Sequence, residues 1–334
     1  MAKTTLEGAS GACRPWPGRG GGGTVSALER RARDILCVGL GILWLVDGAL
    51  QFLPHQGVDT LAMLAMGGWG QPLWLLNLVD DVINFIYLNG LATAFSLTLG
   101  IVQLAIGALM LSGPGRRLGR IGLYASVPAS LGIWFLGEWL GGLAGFWRGG
   151  ITFVNGGPGA VMLYLVGAWI LLPSGRLLGG DTLTRLRNAV GGLWVLGALL
   201  QSTPPLWHSG LSQNFLEVQV LTRQGPWTRP IAWFVHWTAV ANAPWNAVFV
   251  AVMLGLGLGL LMHRDGPTLY ALAGLWLLFV WWVGENFGAL LGLHTTDPNS
   301  GPAWAVLLLP LFVAMLARRR LGAGGRPAEL QPSA

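Results

Sequence analysis

Three acidic residues, Asp47, Glu138 and Glu285, stand inside stretches otherwise built of Leu, Val, Ile, Trp and Gly. An ionisable group is costly in such a setting, so each is a candidate either for proton or cation handling or for a carboxyl tied into the fold by hydrogen bonds. Gln51 and Gln201 are amides in similar surroundings and need partners. Those partners could be groups on neighbouring helices or the carbonyl of a bound quinone. Trp134 and Trp281 lie one helical turn before the two glutamates, and Asn155 and Asn299 lie in loops beyond them. On a helix, Trp134, Gly141 and Gly145 would share a face with Glu138, and Trp281, Gly288 and Gly292 a face with Glu285. Such small-residue faces admit a neighbouring backbone, which predicts that both carboxyls point into the protein rather than into lipid. These nine residues form the candidate functional core.

Histidine offers a second chemistry. His55, His208, His236 and His294 are expected on one side of a membrane and His263 on the other; with Asp297, the first four could bind zinc or copper. No two share a helix face at ligand spacing, which favours interfacial histidines that hold no metal. The two cysteines, Cys13 and Cys37, supply neither a disulfide framework nor a thiolate metal site. The run Gly255, Gly257 and Gly259 lacks the strand–turn–helix setting of a nucleotide fingerprint and reads as a place where helices approach closely. No phosphate loop, nucleophile–base arrangement or zinc-helix motif is present.

The elements that must position these residues are membrane helices. The chain is 53% hydrophobic and only 10% charged, against roughly a quarter charged in soluble domains. Runs long enough to cross a ~30 Å hydrocarbon core fall at 35–53, 89–111, 121–143, 158–172, 188–206, 243–262, 268–293 and 302–317. Of the 20 basic residues, 17 flank these runs on one side, leaving Arg148, Arg223 and Arg229 on the other. The bias predicts eight spans with both termini in the cytoplasm, and so accounts for the basic balance without a nucleic-acid partner. Residues 1–33 read as a disordered cytoplasmic tail, the first span as an uncleaved signal anchor, and 318–334 as a second tail. An Arg-rich, Lys-poor composition hints at a GC-rich bacterial gene, hence a bacterial cytoplasmic membrane.

The spans repeat. Gly41-Ile42-Leu43-Trp44, leading to Leu50-Gln51 and Pro54, returns 150 residues later as Gly191-Gly192-Leu193-Trp194, leading to Leu200-Gln201 and Pro204. Leu123-Tyr124-Ala125 returns as Leu269-Tyr270-Ala271. Trp134-x-x-Gly137-Glu138-x-x-Gly141 returns as Trp281-x-x-Gly284-Glu285-x-x-Gly288, and Asn155-Gly156-Gly157-Pro158 as Asn299-Ser300-Gly301-Pro302. Matched blocks in one order predict two four-helix membrane repeats, 34–172 and 188–317, joined by a basic cytoplasmic linker at 173–187. An even number of spans per repeat inserts both in the same direction. The outer segments 54–88 and 207–242 read as helices lying in the interface, either sealing the bundle or covering a ligand site.

An arginine lead-in (Arg30, Arg31, Arg33), spaced glycines in the first span (Gly39, Gly41, Gly48) and a glycine-rich second span (Gly100, Gly107) resemble the DoxX-like family of four-helix membrane proteins, here as a tandem pair. The resemblance implies a redox association, with members linked to sulfur-compound oxidation and quinone as acceptor. The doubled length, the two G-E-x-x-G segments and the long outer segments depart from that pattern. Three function classes therefore stand: a quinone-linked redox protein, a proton- or ion-coupled small-molecule transporter, and a non-catalytic anchor for a membrane or periplasmic partner.

Overall fold

Pairs of glycines decide which helices touch. In the computed structural model, which describes residues 22–66, 71–141, 143, 159–213, 215–216, 226–264, 266–292 and 295–323, the described residues are helical or in turns, with no strand among them. The first half holds α1 (Gly22–Leu50), α2 (Gln56–Met66), α3 (Leu73–Leu88), α4 (Ala92–Met110), α5 (Arg117–Leu136) and α6 (Val161–Leu171). The second holds α7 (Thr182–Gln201), α8 (Arg229–Val240), α9 (Asn242–Leu261), α10 (Pro267–Phe279) and α11 (Ser300–Ala323). Among the described residues four segments, against the eight spans expected, are long and apolar enough to cross a membrane: Ala92–Met110, Asn242–Leu261, Pro267–Gly284 and Ser300–Arg320. Large apolar side chains such as Ile101, Leu131, Leu275 and Leu278 cover the outside of the bundle. Exposure on that scale suits lipid and not water.

Helices α1 and α4 cross so closely that a Cβ on Gly107 would fall 2.6 Å from the Gly41 carbonyl oxygen, and one on Gly48 would fall 2.8 Å from that of Gly100. Helices α7 and α9 meet in the same manner, at Gly191 and Gly257. Of the Gly255, Gly257 and Gly259 run, it is the middle residue that admits the α7 backbone. The halves join through α1, α6, α7 and α11: Gly39 receives Val306, Gly167 receives Leu40 and Leu307, and the Trp194 and Trp304 rings stack at 5.2 Å.

Helix α1 begins at Gly22, inside the segment expected to be a loose tail. Glu29 and Arg33 explain the extension. The Glu29 carboxylate accepts the Thr182 N–H at 2.8 Å, and the Arg33 guanidinium donates to the Leu171 carbonyl at 3.5 Å, docking this turn on the 173–187 region. There Asp181 caps α7 by accepting the Thr184 N–H at 2.8 Å. Burial works against its charge, but the hydrogen bonds from Thr184 and the nearby Arg318 and Arg187 hold its carboxyl below the usual range. The outer segments are helical where described, as α2 with α3 and as a π-turn at Leu206–Gly210 with α8.

Candidate functional site

The chain leaves the α-helix just before each of the two glutamates. Helix α5 stops at Leu136, and α10 passes into a π-turn at Val280–Gly284. Left-handed turns follow at matching places: Trp139, Leu140 and Gly141 have φ of 52°, 57° and 62°, and Asn286, Phe287 and Gly288 have 45°, 54° and 63°. Four of these six residues carry a side chain, at a cost of roughly 1–2 kcal/mol each. Packing offsets it. Trp139 is buried and donates its indole N–H to the Leu64 carbonyl at 2.7 Å, while the Phe287 ring meets Trp281 and Trp282. The second copy carries one residue more between its Tyr and its Trp (Tyr270 to Trp281, against Tyr124 to Trp134), which the π-turn absorbs.

The expected helical face around each glutamate is therefore corrected: Gly141 and Gly288 belong to the left-handed turns and not to an α-helical stripe. What the turns achieve is to aim both carboxylates at the start of the next helix. Glu138 accepts the Val161 N–H at 2.9 Å, at the first residue of α6. Glu285 accepts the Ser300 hydroxyl and, at 3.3 Å, the Gly301 N–H, at the start of α11. An anionic acceptor there satisfies orphan N–H groups and complements the helix dipole. Trp134 and Trp281 serve the same junctions: Trp134 lies beside Gly159, and Trp281 beside Gly301 while donating to the Pro298 carbonyl at 2.9 Å. Asn299, at φ 65°, caps Ser300 N–H with its side chain. Its counterpart Asn155 lies outside the described residues.

Glu138 also lines a cavity of about 390 Å³ in the first half; its second oxygen, Oε2, lies against the Gly159–Ala160 backbone at the start of α6. The polar lining of this cavity includes Asp47, Gln51, Tyr164, Glu138 and Asp297; its apolar walls include Leu99, Ile133 and Leu136. Asp47 is 4% exposed and accepts the Tyr164 hydroxyl at 3.3 Å. Its charged neighbours are Asp297 and Glu138. No basic side chain lines the cavity among the described residues. Asp297 reaches in from the loop before α11, where it accepts the Asn299 N–H and the Thr296 hydroxyl; burial pushes its carboxyl up, against those two hydrogen bonds. The chain matches no family model, no curated protein and no solved structure.

Gln51 is spoken for. Its amide nitrogen donates to the Thr296 carbonyl at 3.0 Å, and its oxygen accepts from Ser96 and Thr60 at 3.1 and 3.3 Å. Gln201 exchanges hydrogen bonds with Asn246, donating to its side-chain oxygen at 2.6 Å. Cross-helix bonding thus accounts for the Gln51 amide and for the Gln201 amide nitrogen, while the Gln201 Oε1 is buried without a partner among the described residues. A second amide on the cavity lining is Gln103 on α4, 5% exposed, its oxygen unpartnered. Gln103 and Tyr164 are the residues that the sequence reading missed. Gln103 was detectable as an amide inside an apolar run; Tyr164 carried no such mark.

The cavity has one exposed rim. Of its lining residues, those classed as exposed are Thr98 and Val102 on α4 and Pro128 and Gly132 on α5. These helices touch near their 110–122 ends, where Gly122 receives Met110. Pro128 removes one backbone hydrogen bond within α5, which lets the helix bend along this rim. The mouth opens sideways between two apolar helices.

The histidines do not converge on this site. His55, His208 and His236 are exposed, His263 sits beside the Arg187 guanidinium, and His294 lies outside the described residues. Among the described residues no group of three His, Cys, Asp or Glu side chains is placed to hold a metal ion.

Proposed function

We propose that this chain is a proton-coupled carrier of small amphiphilic molecules, built as eight spans in two tandem four-helix units inserted in the same direction, with both termini in the cytoplasm. The observation that carries the function is the cavity between α1, α4, α5 and α6, with three carboxylates on its lining and a lateral apolar mouth. A ligand dissolved in the bilayer can enter through such a mouth, and carboxylates in a water-poor site exchange charge for protons as its occupancy changes. The paired glycine crossings and the matched left-handed turns support the tandem layout, and the 17-to-3 split of basic residues supports the orientation. On this reading the carboxylates lie in the outer half of a membrane, bacterial by composition. The DoxX-like resemblance rests on the glycine pattern of α1 and α4; it keeps a quinone-linked role as the rival, to which the unpartnered Gln103 amide would contribute a hydrogen bond.

The test is proton flux in liposomes with an imposed pH gradient. Small aromatic quaternary cations, neutral esters and carboxylates are added in turn, with the intact protein and with Gly132→Phe, whose new ring would stand in the mouth. Gly132 is exposed, and a Cβ there meets nothing within 4 Å, so the fold tolerates the change. At least one compound should release protons through the intact protein and not through the variant. Flux with none of them, or equal flux through both proteins, would refute the carrier.

A further inference from the structure

The cavity holds a charge problem that the protein leaves unsolved. Asp47, Glu138 and Asp297 lie close together on its lining; Asp47 receives a single tyrosine hydroxyl, and Glu138 receives only the backbone N–H groups at the start of α6. In a low-dielectric site, neighbouring carboxylates without a cation repel one another, and a positive ligand removes that cost. Independently of the carboxylates, the Gln103 side chain is 95% buried, faces the cavity and leaves its oxygen without a donor. A buried amide oxygen accepts hydrogen bonds, and its dipole also attracts a cation directly. Leu99, Val102, Ile133 and Leu136 then surround whatever is attached to the charged group, and the rim at Thr98, Val102, Pro128 and Gly132 admits it from lipid.

We propose that the ligand of the first-half cavity is a lipophilic organic cation, its ammonium held between Asp47, Glu138, Asp297 and the Gln103 oxygen and its apolar body directed toward the α4–α5 mouth. The proposal rests on the reading of this cavity as the carrier site and adds the charge of what it takes. The second half contains no such site: at positions matched by sequence to Asp47, Gln103 and Tyr164 it has Gly197, Met253 and Leu308. One cation per chain follows.

Equilibrium binding of radiolabelled benzyltrimethylammonium to the full chain in lipid nanodiscs tests this directly. Neopentylbenzene, which replaces the nitrogen by carbon, serves as neutral competitor. The intact protein should bind one equivalent at pH 8 and lose affinity by about tenfold or more at pH 5, where protons compete for Asp47, Glu138 and Asp297. Asp47→Asn should lose at least about tenfold at pH 8, Gln103→Leu less, and the neutral compound should not compete. Two failures separate cleanly. If neopentylbenzene competes as well as the unlabelled cation and Asp47→Asn binds normally, the cation is wrong while a mouth-dependent loss in Gly132→Phe keeps the cavity. If nothing binds, or Gly132→Phe binds as the intact protein does, the cavity itself is not the site. A misfolded Asp47→Asn is recognised by its elution profile, and Glu138→Gln then takes its place with the same expected loss.

Discussion

The two halves carry related sequences around very different interiors. In the first half, Leu99 and Ile133 line a cavity that Asp47, Glu138 and Asp297 also line, and Ser130 is buried one turn before Ile133. The sequence counterparts of Leu99, Ser130 and Ile133 in the second half are Phe249, Trp276 and Phe279, whose rings meet with centroids 4.9 Å (Phe249–Trp276), 5.6 Å (Trp276–Phe279) and 5.8 Å (Phe249–Phe279) apart. Phe215 and Phe234 extend the cluster, and Trp245 packs on Phe234 at 4.9 Å. Smaller side chains on one side and large aromatic ones on the other give the two halves different interiors. The difference teaches that the frame is set by glycine contacts and helix caps common to both halves, while what fills the frame is free to diverge.

The contrast can be broken most forcefully at Phe249. Truncation to Ala empties a packed position and should cost about 3–5 kcal/mol. Leu99→Ala should cost markedly less, since Leu99 already borders open space. Reversible unfolding in mixed micelles measures both, and equal losses would erase the distinction between the halves. A reciprocal exchange is the next largest. Gly197→Asp places a carboxyl in a closed interior and should destabilise by about 2.5–3.5 kcal/mol, whereas Asp47→Gly should abolish cation binding and leave the unfolding midpoint nearly unchanged.

The two glutamates sharpen the comparison. Glu138→Gln and Glu285→Gln each weaken a helix cap, worth about 1 kcal/mol. Only the first should also reduce binding of benzyltrimethylammonium, because only Glu138 lines the cavity. The smallest effect concerns Asp297. Its carboxyl is raised by burial, so the folded chain holds that proton more tightly than the unfolded chain does. The contribution to stability is therefore greatest below the ordinary aspartate range and falls as pH rises through that range toward the raised value. Asp297→Asn should flatten this part of a stability–pH curve and leave its alkaline part unchanged.

Much of this was legible from residue types. Among the described residues, four of the eight apolar runs correspond to helices long and apolar enough to cross a membrane, as a composition so poor in charge suggests. Glu138 and Trp134 meet at the start of α6, and Glu285, Trp281 and Asn299 at the start of α11; the geometry is not legible in the sequence, because in the first turn Trp139 is held by the Leu64 carbonyl, a contact far away in the chain. Gln51 was marked for its place in the repeat, and that same emphasis hid Gln103, whose counterpart is Met253. Asp47 was noticed as an exception to the repeat. Gln103 and Tyr164, which line the same cavity, likewise have no like residue at the matched positions Met253 and Leu308.

The loop at 295–299 closes the cavity of the opposite half, and Gln51 holds it there through Thr296, 245 residues along the chain. The consequence is genetic. If the cavity is the functional site, alleles at Thr296 or Asp297 should fall in the same phenotypic class as alleles at Asp47, although they map to the other end of the gene. Suppressors of a loop allele would arise in α1 rather than beside it. A gene split between the halves would complement only where both fragments reach the same membrane and meet.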